Sequence, residues 1–135
     1  MEIEISKFQE EGYQPIVDYK TWRVAVLKYC EELEIQNLKT MQKHMESDEV
    51  FVLLEGSCTL FSAGNGENPA EINVCKLEPL RTYNVKQGVW HTHTLEKGAN
   101  VLIVENVDTC DENSPTKELS IKQIKELQEM YKDIV

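Results

Sequence analysis

The sequence predicts an all-β barrel or sandwich that ends in one α-helix. Three observations carry this. Short runs rich in valine, isoleucine, threonine and aromatic residues recur between Thr21 and Asn106, separated by turn residues. After Cys110 the pattern changes from a period of two to a helical period. The chain has 135 residues, 41% of them hydrophobic, which suits one ordinary domain with its own core and excludes a disordered chain. A single domain over 1–135 is expected, with the barrel at about 13–107 and the helix at about 120–133.

The elements follow in order. "TWRVAVLKYC" (Thr21–Cys30) is β-rich. "EVFVLLEG" (Glu49–Gly56) and "SCTLFSA" (Ser57–Ala63) adjoin, with Glu55-Gly56 as a tight turn between them. "GNGENPA" (Gly64–Ala70) is a loop. "EINVCKL", "TYNV", "VWHTHTL" and "NVLIVEN" supply further strands. "CDENSPT" (Cys110–Thr116) is a polar connection. In "SIKQIKELQEMYKDIV", Ile121, Ile124, Leu127, Met130 and Ile134 form one helical stripe, and Ser120 with Gln123 fits a capping box.

Alternate residues of a strand face opposite sides. In "EVFVLLE", Glu49, Phe51 and Leu53 share one face, and Val50, Val52 and Leu54 the other. Val101–Val104 is likewise apolar on both faces. One face can line the barrel. The other needs a second sheet, the helix or another subunit, so a homodimer is expected.

The formal net charge is −10, from 24 acidic and 14 basic residues. Such a surface repels phosphate backbones and anionic lipid, which argues against nucleic-acid and membrane-surface roles. No apolar run approaches the roughly 20 residues of a membrane-spanning helix. The acidic start "MEIEISKFQEEG" lacks the pattern of a signal peptide, so a cytoplasmic protein is expected. Cys30, Cys58, Cys75 and Cys110 are scattered with no C-x-x-C, and read as free thiols in a reducing compartment.

Histidine is where chemistry concentrates. The chain has three, in two short segments: "MQKHMESDE" and "VWHTHT". Gln42 and His44 are two apart, as are His91 and His93, so each pair shares a strand face. Glu49 follows His44 by five residues, across a turn at "MESD". If the segments are neighbours, imidazoles and a carboxylate converge inside the barrel. That mixture suits a borderline divalent metal: zinc, nickel, manganese or ferrous iron. A strand histidine taken alone is more often just a hydrogen-bonded side chain, and Glu49 alone a strand-start acid.

The first segment resembles the first cupin motif, G-x5-H-x-H-x3–4-E-x6-G. His44, Glu49 and Gly56 match its second half, while Gln42 stands at the first histidine and Gln36 at the opening glycine. "KQGVWH" resembles the second motif, P-x-G-x-x-H, through Gly88 and His91, with Lys86 in place of proline. The resemblance spans about Met41 to Asn106. It implies a double-stranded β-helix, the cupin jelly-roll barrel, with its site at the centre and a C-terminal helix added. It also implies His44, Glu49 and His91 as metal ligands. The lost histidine leaves the fourth ligand open: Gln42 through its amide oxygen, or His93. His93 could instead carry protons beside the metal.

A narrower likeness runs through His44, Asn84, Val89, Trp90 and His91, which occur in the order found in the ureidoglycolate lyase family, itself cupin-like. Glu49 replaces a glutamine of that family, and Thr92 its second histidine. This likeness implies elimination of urea from ureidoglycolate to leave glyoxylate. Glu49 or His93 would take the hydroxyl proton. Lys86, with Arg81, would offset the substrate carboxylate, and Asn84 would read its urea or carboxylate group. The bland alternatives are solvated charges at Lys86 and Arg81 and a turn residue at Asn84. Trp90 has the opposite parity from His91 and is expected to pack in the second layer rather than touch a ligand. A metal-dependent enzyme on a small polar carboxylate or carbohydrate-like molecule, by lyase or amidohydrolase chemistry, is the first reading; isomerase and dioxygenase chemistry fit the same ligands. A binding module for a small ligand or sugar, and a metal-free remnant, are the competing readings.

Overall fold

Strands that alternate inward apolar with outward mixed residues can close only by stacking a second layer over the buried face. The computed structural model describes residues 1–135 and shows that arrangement as two five-stranded antiparallel sheets. One sheet has the order β1 (Gly12–Tyr19), β2 (Trp22–Lys28), β9 (Asn100–Asn106), β4 (Glu49–Glu55), β7 (Tyr83–Val85). The other has β10 (Thr116–Glu118), β3 (Thr40–Gln42), β8 (His91–Leu95), β5 (Cys58–Ser62), β6 (Asn73–Lys76). Helix α1 (Ile121–Ile134) follows. The fold is a jelly-roll with a C-terminal helix, as the sequence predicts. No helix is long and apolar enough to cross a membrane.

The interior between the sheets holds Ala25, Leu27, Phe51, Leu53, Leu60, Leu95, Val101 and Ile103, all buried. Parity places them there: Ala25, Ile103 and Phe51 lie in register across β2, β9 and β4. A second core lies outside the β8 sheet. Met41, Phe61 and Trp90 pack there with Leu127 of α1. The helix starts where Ser120 Oγ accepts from Gln123 N–H and the Gln123 side chain accepts from Ser120 N–H.

Three expectations need correction. Glu55-Gly56 does not join a hairpin: β4 and β5 lie in different sheets, and Gly56 turns the corner between them. Gly56 has φ +78°, and a Cβ there would sit 2.7 Å from Ala99 Cα. Only glycine fits such a position without displacing backbone. Second, β1 and β10 went unread. Pro15 interrupts β1 beside a register shift, which an edge strand tolerates, and "TKE" in β10 is wholly exposed. Third, α1 covers the β8 sheet, not the strands that are apolar on both faces. Val50, Val52, Leu102 and Val104 stay half-buried on the outside of the other sheet, and Leu54 is exposed.

Candidate metal centre

The two histidine segments lie side by side. Gln42 pairs with His91 across β3 and β8, and Gly88 N–H donates to His44 O at 2.8 Å. Gly88 has φ +78°, the conformation that lets the turn before β8 close on His44. His44 follows β3 and Glu49 opens β4, so the "MESD" turn carries the chain from one sheet to the other.

His44, Glu49 and His91 are buried, and one ligand atom from each lies within 4.8 Å of the others. Glu49 Oε1 is 3.2 Å from His44 Nε2 and 3.0 Å from His91 Nε2. The outer ring nitrogens fix the tautomers. His91 Nδ1 lies 2.9 Å from Val89 O, which can only accept, so Nδ1 carries the hydrogen. Ser114 Oγ donates to Asn113 Oδ1, so it accepts from His44 Nδ1–H at 2.7 Å. With Nδ1 engaged on its outer side, each ring turns Nε2 toward the same carboxylate oxygen, at 3.2 and 3.0 Å. Two imidazole nitrogens and a carboxylate oxygen so gathered could hold a metal ion once the nitrogens are free of hydrogen. Burial pushes the Glu49 carboxyl up, but its bonds to His44 and His91, with Glu105 adding, outweigh that and hold it well below the usual carboxylate range.

Gln42 is half-buried and borders the same space. Its Nε2 donates to Ser114 O at 3.1 Å, which turns the amide oxygen away from that carbonyl. His93 shares the inward face with His91 but stands outside the three-atom cluster. Its ring leans on Phe51, 5.7 Å between centroids, and its Nδ1 is buried without a partner. Burial lowers the His93 pKa to about 4, with His91 and His44 adding and Glu49 opposing, so the ring stays neutral.

The structure does not bring Lys86, Arg81 or Asn84 to this cluster. Lys86 and Asn84 are exposed and border another cavity of about 290 Å³, which His91 lines but His44 and Glu49 do not. Asn84 Nδ2 donates to Asp48 Oδ2. Arg81 is exposed and paired with Glu78. Trp90 lies in the outer core, as its parity requires.

Sequence reading missed Glu105. It pairs with Glu49 across β9 and β4 and is buried on the same inward face. Tyr13 O–H donates to Glu105 Oε2 at 2.5 Å, and Arg23 Nη1 lies 3.7 Å from that oxygen. Burial, then the neighbouring Glu49, raises the Glu105 pKa to about 7, against the Tyr13 bond. Inward parity with Val101 and Ile103 was the available signal. Glu49, Glu105, His44, His91 and Asp111 line a cavity of about 240 Å³.

No family model matches the sequence, and no curated protein does. Solved structures do match. A cupin 2 domain-containing protein from Halorhodospira halophila is 12% identical with a TM-score of 0.56, over 91% of this chain and 79% of that one. KdgF from Halomonas sp. is 13% identical with a TM-score of 0.55, over 74% and 81%. The QdtA 3,4-ketoisomerase from Thermoanaerobacterium thermosaccharolyticum, a double mutant in complex with TDP, is 16% identical with a TM-score of 0.56, over 81% and 74%. At these identities the likeness shows architecture alone: the two sheets are those of the cupin fold.

Proposed function

We propose that this chain is a metal-dependent enzyme acting on a small, polar, hydroxyl-bearing molecule. One observation carries the reading: His44 Nε2, His91 Nε2 and Glu49 Oε1 converge, with both outer ring nitrogens engaged by Ser114 and Val89. His44, Glu49 and His91 would hold zinc, nickel, manganese or iron, with Gln42 the nearest candidate for a fourth ligand. Such an ion supplies Lewis acidity toward a substrate oxygen when bound. Glu105, with a pKa near neutrality and fixed by Tyr13, is placed to take or give a proton in the 240 Å³ cavity. His93, neutral and half-enclosed, offers the second such group.

Ureidoglycolate elimination is the specific lyase reading that the resemblance supplies. In that reading the metal would bind the substrate's hydroxyl and carboxylate oxygens, and Lys86 and Asn84 would approach from the cavity they share with His91. A non-catalytic module for a small ligand is the second reading, favoured by glutamine at position 42. The uncovered apolar face of the β4 sheet supports a homodimer.

Elemental analysis of untagged protein, purified without chelator, tests the metal. Near one equivalent of a transition metal is expected, lost in a His44→Ala/His91→Ala double variant. Equal metal content in both proteins would sink the site. Metal without turnover on any small hydroxylated substrate would favour the binding module.

A further inference from the structure

A larger cavity, about 720 Å³, opens on the other side of His93. It meets the smaller one at Gln42, His91 and His93, which border both. Its charged lining is Glu11, Glu31 and Glu32 against Lys39. The smaller cavity is lined by Glu49, Glu105 and Asp111, with neither lysine nor arginine. Arg23 backs Glu105 but borders neither space, and Asp18 already holds its Nε at 2.8 Å. Together the two adjoining spaces therefore present six carboxyl side chains and one ammonium. A single divalent ion at the cluster leaves the balance negative.

Polar neutral groups complete the wall. Thr40, Thr92 and Thr116 line the larger cavity. At the junction, His93 Nδ1 is buried with no hydrogen-bond partner. That atom is shielded, but the ring is only half-buried, and its accessible edge lies where the two spaces meet, within reach of a ligand hydroxyl. A cavity walled by one sign of charge concentrates ligands of the other sign, more strongly at low ionic strength.

We propose that the larger cavity receives a small cationic ligand that carries both an amine and hydroxyls, with its hydroxyl end reaching His93 and the cluster. This rests on the reading of His44, Glu49 and His91 as the reacting end of the site. It excludes carboxylates and nucleotide-linked substrates as the preferred class.

Three probes on one carbon skeleton test it: glucosamine, glucose and glucuronate, titrated by calorimetry at low salt into protein of measured metal content. Glucosamine is expected to bind at least about tenfold tighter than glucuronate. A Glu31→Gln/Glu32→Gln variant, altered only at exposed side chains, should shrink that ratio about threefold or more, as should high salt. His93→Ala should weaken glucosamine and glucose alike and leave their ratio unchanged. Glucuronate binding as tightly as glucosamine, or none of the three binding, overturns the proposal. Metal-loaded protein that prefers glucuronate sinks this inference and leaves the metal reading standing. Metal-free protein that still prefers glucosamine does the reverse.

Discussion

Glu49 and Glu105 face one another across β4 and β9, and their environments push them apart. The imidazoles keep Glu49 ionised, while burial beside that charge raises Glu105 from 4.5 to about 7. An acid whose pKa is raised on folding binds more protons folded than unfolded, so its contribution to stability falls as pH rises between those values. In metal-stripped protein, Glu105→Gln should flatten the pH dependence of unfolding from about pH 4.5 to 7.5. It should gain about 1 to 2 kcal/mol at pH 8, the full shift being discounted for partial solvation and coupling. Denaturant melts at three pH values suffice, and an unchanged slope would refute the assignment. The histidines announced themselves by clustering in sequence. Glu105 did not, because a lone acid at the end of "NVLIVEN" looks like a solvated strand end. Only its register with Glu49, a contact 56 residues away in the chain, gives it a role.

Among the elements, α1 was legible in full, since its stripe and its cap are both local. Its partner was not. The stripe says that one face is buried, and tertiary contact alone says that Leu127 meets Phe61 and Trp90 outside the β8 sheet. Leu127→Ala should cost about 2 to 5 kcal/mol, read as a lower denaturant midpoint with an unchanged slope. A loss below about 1 kcal/mol would mean that the helix is not part of the cooperative unit. The β1 and β10 strands were illegible for opposite reasons. Pro15 disguises one, and three polar residues give the other no pattern to read. The Gly56 corner was seen as a turn, but whether a turn folds a strand back or sends it to another layer is decided by distant partners.

For the whole molecule, the helix protects one sheet and leaves the other open. Val50, Val52, Leu102 and Val104, with exposed Leu54, form an outer face that water covers in the single chain. Light scattering should give twice the protomer mass, and Val52→Glu/Leu102→Glu should halve it, because a desolvated carboxylate in an apolar contact is strongly unfavourable. A monomeric parent would refute this. The cluster inside the barrel has a thermodynamic consequence of its own. Two imidazole nitrogens and a carboxylate that converge on one point make hydrogen ion and metal ion rivals for them. Loading should therefore expel protons, in a number that grows as the starting solution is made more acidic. The heat of loading should then depend on the ionisation enthalpy of the buffer. Chelator should act as a mild denaturant, since whatever binds the folded seat alone also weights the scale toward folding.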